Sequence, residues 1–391
     1  MRATRAEIDL DALEFNFKQI RKRVGAGVKI MGIVKSNAYG HGLIGIAHAL
    51  VNLGADYLGA GFLEEGIELR KAGITKPILV FGGAFGEEIR DFLDYDLDVS
   101  ISSIGIAEFI DRAAAEHPKK ANVHIKIDTG MGRLGISTQN AIASIETILR
   151  LKHLNVKGLY THFATSDERD KAYASEQIER FDTVCIELKK RGIEIPLIHA
   201  ANSGAVIDLP SANYSMVRPG MMMFGVYPSQ ETTESVPLEP VLSFKSRVIY
   251  LKHVPAGTYI SYGRKYVTPA PTVIATVPVG YGDGYSRSLT NRAHVLIGGK
   301  RRPVVGAVCM DLLMVDVGPE SAVKVGDEVV LIGSQGTETV SAWEIASLMN
   351  TIPYEVFTGI SVRVPRVMVH GRQSQSESIA AAENTGSRSV R

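Results

Sequence analysis

The chain has 391 residues, of which 45% are hydrophobic and 22% are charged, and its formal net charge is +1 at pH 7. These values are typical of a soluble globular protein with two domains, or with one large barrel and an appended domain. A net charge near zero argues against nucleic acid or an anionic membrane as a partner. The two cysteines, Cys185 and Cys309, have no ligand-pair spacing, so we expect neither a disulfide framework nor a metal site. The first residues lack an apolar signal region, which favours a cytoplasmic protein.

Short β-like runs alternate with helical patterns in the first part of the chain. A strand at Arg5–Ile8 precedes a helix that Asp9 can cap and that continues to about Val24. Eight apolar runs follow, at Ile30–Lys35, Tyr57–Gly61, Pro77–Gly82, Val99–Ser102, Val123–Asp128, Val156–Phe163, Ile195–Ala200 and Tyr214–Arg218. Helices are predicted between them, at Leu43–Leu53, Leu63–Ala72, Glu87–Phe92, Ile104–Ala115, Ala141–Leu151 and Ala172–Arg191. Eight such repeats favour a closed (β/α)8 barrel, which we place at residues 1–235.

The pattern becomes β-rich after a polar linker near Pro228. Strands are predicted at Ser246–Val254, Val273–Val279, His294–Ile297, Val304–Cys309, Leu313–Val317 and Glu328–Ile332. One helix, Ala342–Met349, has Ser341 as its cap. We therefore predict a mainly-β domain over residues 236–371, built as a small barrel or sandwich, and a disordered polar tail over residues 372–391.

Lys35 is the first candidate for chemistry, because it ends the first barrel run and precedes Ser-Asn-Ala-Tyr-Gly-His-Gly. Desolvation at a buried strand tip would lower the pKa of its amine and make it a nucleophile or base. A lysine that ends a strand and faces water fits this stretch equally well. Active sites of such barrels lie at the C-terminal ends of the strands, so Asp128, His162, His199 and Arg218 are further candidates.

Glycine-rich segments suggest where an anion binds. Gly130–Gly135 matches G-x-G-x-x-G, which leaves a nicotinamide-dependent dehydrogenase open, but a loop that directs Arg133 to an anion fits better. Gly280–Gly284 is more typical of a turn between strands. Short helical segments open at 202–204 and 218–221, after the seventh and eighth strands, where barrels commonly bind phosphate. A lysine near a phosphate site favours pyridoxal phosphate.

The segment from Ile33 to Gly42, IVKSNAYGHG, resembles the cofactor-lysine motif of alanine racemases, pyridoxal-phosphate enzymes of fold-type III. The similarity spans roughly residues 5–370 and includes Lys126–Gly135, Tyr160–Phe163, Ala201–Ser203, Val217–Gly220, Ser261–Arg264, Val279–Gly284, Cys309–Asp311 and Tyr354–Val356. The resemblance implies that the protein interconverts L- and D-alanine and provides D-alanine for peptidoglycan. It also implies a head-to-tail homodimer with shared active sites.

The resemblance implies a role for each matching residue. Lys35 would hold the cofactor and carry the α-proton on one face, and Tyr262 of the second subunit would be the base on the other. Arg218 would face the pyridine nitrogen, with His162 behind it. The phosphate would be held by Tyr39, Ser203, Gly220, Met221 and Tyr354. The substrate carboxylate would lie by Arg133, Met310 and Asp311, with Tyr281 at the entrance and Lys126 carbamylated.

Two positions depart from the common family pattern: Ala307 replaces an arginine and Leu312 replaces a glutamine, which leaves the details of the entrance open. A serine or broad-spectrum amino-acid racemase is the nearest alternative, and Tyr354 favours alanine because a smaller residue there would open the pocket. A non-enzymatic pyridoxal-phosphate carrier is a further alternative. Such carriers consist of the barrel alone, and the second domain argues against one here.

Overall fold

The computed structural model describes residues 2–84, 86 and 88–370. The predicted disordered tail at 372–391 lies outside the described residues, as does Glu87, where one helix was predicted to begin. The chain forms two compact units. One contains Glu14–Ala38 and Gly42–Glu239, and the other contains, of the described residues, 2–13, Tyr39–His41 and 240–370.

The first unit is a closed barrel of eight parallel strands, as predicted. Its strands are Lys29–Ile33, Tyr57–Ala60, Ile78–Val80, Asp98–Ile101, Ala121–Asp128, Leu154–Tyr160, Leu197–His199 and Met216–Val217. Closure is made where Met216 of the last strand pairs with Lys29 of the first. Residues of these strands are largely buried, because a parallel barrel is covered outside by helices and filled inside by side chains.

The helices of the first part of the chain lie within two residues of the predicted bounds. They are Leu10–Val24, Leu43–Asn52, Leu63–Lys71, Glu88–Asp94, Ile104–Ala114, Ala141–Leu149 and Ala172–Lys190. Asp9 caps the first one as predicted, since its carboxylate accepts hydrogen bonds from the N–H groups of Asp11 (2.9 Å) and Ala12 (3.1 Å). The helix Ser203–Asp208 and the 3₁₀ segment Met221–Phe224 begin after the seventh and eighth strands, also as predicted.

The second unit is mainly β, as predicted. Its strands are Arg5–Asp9, Leu242–Arg247, Tyr250–Val254, Tyr259–Ile260, Tyr266–Val267, Thr272–Val277, His294–Ile297, Lys300–Pro303, Leu313–Asp316, Glu328–Gln335, Glu338–Val340 and Arg366–Val369. The helices are Ala342–Met349, which Ser341 caps as predicted, and Pro353–Thr358, which was not predicted. Arg5–Asp9 pairs with Leu242–Arg247 and Arg366–Val369, so the first strand belongs to this unit, although the predicted barrel domain began at residue 1.

Two strand predictions in this unit were wrong. The predicted strand Ser246–Val254 is two strands, Leu242–Arg247 and Tyr250–Val254, which pair in different sheets. The apolar run Val304–Cys309 is not a strand. The strand is the charged segment just before it, Lys300–Pro303, which forms a hairpin with His294–Ile297.

Candidate active site

Lys35 follows the first barrel strand and begins a turn with an unusual backbone. Residues 36–39 all have φ between 51° and 55°, in the left-handed helical region. For residues with a side chain this conformation costs about 1–2 kcal/mol each, so four in succession need compensating contacts. The sequence predicted a loop here and did not predict this conformation.

Glu65 supplies part of the compensation. One of its carboxylate oxygens accepts hydrogen bonds from the backbone N–H groups of Ser36 (2.6 Å) and Asn37 (3.4 Å), and the other accepts one from Gly61 (2.7 Å). The Asn37 side chain in turn accepts from the N–H of Leu43, which begins the next helix (2.7 Å). Glu65 was not among the predicted site residues, because nothing in its helical pattern distinguishes it from a solvated carboxylate.

The structure brings several predicted cations together at the end of the barrel where the strands terminate. Desolvation, followed by the charges of Arg133 and Arg218, lowers the pKa of Lys35, and Glu65 opposes part of this shift. Burial, followed by the charges of the same two arginines, lowers the pKa of Lys126 to about 8, with Asp128 opposing it. A site that holds this many cations favours a negatively charged ligand.

Arg218 lies buried after the eighth strand and is fixed by several acceptors. Its guanidinium donates to the Thr161 and Ala200 carbonyls at 2.7 and 2.9 Å, and to the imidazoles of His199 and His162 at 2.8 and 3.2 Å. Burial, partly opposed by Tyr160, lowers the pKa of Arg218 to about 10, so it stays charged at neutral pH. Burial and the charge of Arg218 hold the pKa of His162 well below its usual range, so this imidazole is a neutral acceptor.

The beginnings of two short helical segments meet at Ser203. The Ser203 hydroxyl accepts hydrogen bonds from the N–H groups of Gly220 (2.9 Å) and Met222 (3.3 Å). Ser203 begins one segment and Met221 begins the other. The first N–H groups of a helix have no partner within it, so this arrangement offers donors to an anion. Both segments begin where the sequence predicted them, and the anion site itself stays a prediction.

The glycine-rich segment Gly130–Gly135 does not form a dinucleotide-binding turn. A short strand, Ile136–Ser137, follows it in place of the helix that such a turn requires. The Asp128 carboxylate accepts hydrogen bonds from the N–H groups of Gly130 and Gly132, so this predicted site residue shapes the loop that carries Arg133. The segment Gly280–Gly284 is a turn, as predicted, with Asp283 accepting from the N–H of Gly280 (3.1 Å).

The remaining predicted site residues lie in the second unit. Tyr281 and Met310 are neighbours, since the N–H groups of Tyr281 and Gly282 donate to the carbonyls of Cys309 (3.0 Å) and Met310 (2.9 Å). The carboxylate of Asp311 accepts from Arg363 at 2.7 Å.

Tyr262 is 71% exposed and lies in a short 3₁₀ turn. Tyr39 and Tyr354 contact each other edge to face, with ring centroids 5.8 Å apart. Ala307 is buried, and its carbonyl accepts from Ser261 beside Tyr262. The roles predicted for these side chains stay predictions.

A closed parallel barrel with lysines and arginines at its strand ends is typical of an enzyme that binds an anionic ligand. Among the described residues, no group of three or more histidines, cysteines or carboxylates is arranged to hold a metal ion. No helix in the described part of the chain is long and apolar enough to cross a membrane.

Comparison with known proteins identifies the family. The family model for the alanine racemase N-terminal domain matches residues 8–228, and that for the C-terminal domain matches residues 241–368. An alanine racemase from Halothermothrix orenii is 47% identical over 365 residues, which cover 93% of this chain and 96% of that protein. The chain belongs to the alanine racemase family.

Solved structures agree with this assignment. The alanine racemase of Clostridium difficile 630 is 38% identical with a TM-score of 0.91, and the match covers 95% of this chain and 97% of that one. The alanine racemase of Bartonella henselae, solved with covalently bound pyridoxal phosphate, is 25% identical with a TM-score of 0.85. That match covers 94% of this chain and 100% of that one.

Proposed function

We propose that this protein is a pyridoxal-phosphate-dependent racemase that interconverts L- and D-alanine. The observation that carries the proposal is Arg218, a buried and charged arginine held by two neutral imidazoles at the same end of the barrel as Lys35. The family and the cofactor bound by the Bartonella henselae relative support it. We also propose a cytoplasmic location and, from the family resemblance, a role in supplying D-alanine for peptidoglycan.

The residues present fit the cofactor. Ser203 and the N–H groups at the start of Met221–Phe224 would hold its phosphate, together with Tyr39 and Tyr354. The amine of Lys35, whose pKa is lowered, would bond covalently to the aldehyde carbon of the cofactor. Arg218 would face the ring nitrogen and, because a guanidinium keeps its proton, would leave that nitrogen unprotonated. When bound, pyridoxal phosphate supplies the electron sink that makes the α-proton of an amino acid acidic.

Inversion requires that the α-proton leave one face of the α-carbon and that a proton arrive on the opposite face, so a fixed base on one face alone would return the proton to the side it left. We assign these roles to Lys35 and to Tyr262 of a second subunit in a head-to-tail homodimer. The large exposure of Tyr262 in the single chain is consistent with a side chain that acts in another subunit. Arg133, the backbone of Met310, and Asp311 would bind the substrate carboxylate, with Tyr281 at the entrance.

Lys126 is proposed to carry a carbamate beside Arg133. Carbamylation requires a neutral amine, and a pKa of about 8 makes a substantial neutral fraction available near neutral pH. The added negative charge would lie among several cations and would orient the Arg133 guanidinium.

A racemisation assay with chiral analysis tests the proposal. Purified protein with added pyridoxal phosphate should racemise L-alanine faster than L-serine or L-lysine, and faster turnover of serine would identify a serine racemase instead. Lys35→Ala should lose both the activity and the absorbance of the bound cofactor. Tyr262→Phe should lose activity and retain that absorbance, since it removes only the second proton carrier. Retention of the absorbance by Lys35→Ala would contradict the cofactor assignment.

A further inference from the structure

A chain of buried polar side chains extends from Arg218 into the barrel interior. Arg218 donates to His199 Nδ1 at 2.8 Å, His199 Nε2 lies 3.0 Å from His124 Nδ1, and His124 Nε2 lies 3.3 Å from a carboxylate oxygen of Asp98. The Tyr57 hydroxyl donates to the same oxygen at 2.7 Å. All five side chains are buried. His124, Asp98 and Tyr57 belong to neither the predicted site nor the proposed reaction.

Arg218 and Asp98, at the two ends of this hydrogen-bond chain, determine which nitrogen of each imidazole carries the proton. A guanidinium can only donate, so His199 Nδ1 must be the unprotonated acceptor. His199 therefore carries its proton on Nε2 and donates it to His124 Nδ1. His124 then carries its proton on Nε2 and donates it to Asp98, which as a carboxylate can only accept. Burial and the charge of Arg218 hold the pKa of His199 well below its usual range, in agreement with a neutral ring.

The barrel is shaped around these rings. Gly158 of the sixth strand faces His124, and a Cβ at Gly158 would lie 2.2 Å from His124 Nδ1. Tyr160 of the same strand stacks on His199, with ring centroids 4.9 Å apart and planes within 2° of parallel. The absence of a side chain at Gly158 thus makes room for His124, and Tyr160 restrains the rotation of His199.

Asp98 also supplies a negative charge that compensates the buried positive charge of Arg218. Within the described part of the chain, the Arg218 guanidinium donates to two carbonyls and two imidazoles, none of them charged. A buried charge is costly unless it is compensated. Asp98 is the carboxylate that this hydrogen-bond chain reaches, and it is separated from Arg218 by two neutral rings.

We propose that Asp98 is a positioning residue which, through His124 and His199, sets the tautomers that keep Arg218 charged and correctly oriented. The inference rests on the proposed function only in that Arg218 faces the cofactor ring. Without Asp98 the Nε2 proton of His124 has no acceptor within this hydrogen-bond chain, which favours the reversed order of protons. A proton on His199 Nδ1 would then deprive the guanidinium of an acceptor. Asp98 thus acts on Arg218 through the protons of His124 and His199.

The first test needs no variant. In the holoenzyme labelled with ¹⁵N-histidine, the ¹⁵N NMR shifts of the ring nitrogens should show His199 and His124 both neutral and protonated on Nε2 at about pH 7. Variants that each replace one histidine assign the signals. A proton on Nδ1 of either ring, or a doubly protonated His199, would overturn the proposal. This outcome is independent of activity, so it can be read even if the protein fails to racemise alanine.

The second test removes the Asp98 carboxylate from a protein that already carries Tyr57→Phe, so that no Tyr57 hydroxyl is left without its acceptor. Tyr57→Phe is the control, because it deletes one donor to Asp98 and keeps the order of protons. Adding Asp98→Leu should lower kcat by about tenfold to about hundredfold, with a smaller change in KM, and should change the His124 and His199 nitrogen shifts. Unchanged shifts and kcat in a folded double variant would refute the role of Asp98.

A rescue experiment separates proton order from simple packing. His124→Gln can accept from His199 through its amide oxygen and donate to Asp98 through its amide nitrogen, so it preserves the order of donors. His124→Gln should be at least about tenfold more active than His124→Leu. A loss of this size in His124→Leu is comparable to the loss on removing other residues that orient a site residue from outside it. Equal activities of the two variants would mean that His124 only fills space, and would count against the proposal.

Discussion

Replacing Glu65 with alanine tests what holds the left-handed turn after Lys35. The change removes the acceptor of two short hydrogen bonds, from Ser36 at 2.6 Å and from Gly61 at 2.7 Å, and of a longer one from Asn37. A hydrogen bond to a charged group contributes about 1.5–3 kcal/mol, and values near the lower end apply because Glu65 is only half-buried. The two short bonds, at about 1.5 kcal/mol each, therefore predict a loss of about 3 kcal/mol in the free energy of unfolding.

The same change should alter the chemistry of Lys35. Glu65 raises the pKa of this amine against the effects of desolvation and two arginines, so its removal should lower the pKa of Lys35 further. In cofactor-free protein, the reaction of Lys35 with an amine-specific reagent should then begin at lower pH than in the unchanged protein. Urea unfolding measures the stability, and peptide mapping of the modified lysine measures the reactivity.

The matched control is Glu64→Ala, which removes a neighbouring carboxylate that is exposed on the same helix. It should leave both measurements nearly unchanged. If Glu65→Ala and Glu64→Ala unfold at the same urea concentration and Lys35 reacts over the same pH range in both, the Glu65 carboxylate does not hold the turn.

Three further predictions concern the barrel unit. Gly135→Ala should lower the free energy of unfolding by more than about 2 kcal/mol, since φ is 135° and a Cβ would lie 2.6 Å from the Asp128 backbone nitrogen. Gly105→Ala, at an open helical position, should raise it by about 0.5–1 kcal/mol. Urea unfolding of the two variants measures both changes. Ser203→Ala should weaken pyridoxal phosphate binding about tenfold in a spectral titration, and unchanged affinity would exclude this hydroxyl from the phosphate site. With ¹³C-bicarbonate, a carbamate NMR signal should grow as pH rises through about 8 and be absent from Lys126→Ala.

The sequence predicts the structure correctly where a local pattern carries the information. The barrel strands and their helices were found because a parallel barrel buries short apolar runs separated by amphipathic helices, which the sequence displays directly. The prediction was wrong at Val304–Cys309, where an apolar run looked like a strand. There the two-residue turn Gly298-Gly299, with φ of 62° and 70°, pairs Ile297 with Lys300 and so assigns the charged segment to the hairpin.

The sequence by itself determined the barrel, the β-rich second part and the family, along with the placement of Lys35 and Arg218 at strand ends. Only the tertiary structure revealed Glu65 beneath the turn and the connection from Arg218 to Asp98. Asp98, His124 and His199 lie far apart in the sequence, on the fourth, fifth and seventh barrel strands. Barrel closure brings these strands together. A local pattern of polar residues does not predict which side chains will lie in the same layer of the barrel interior.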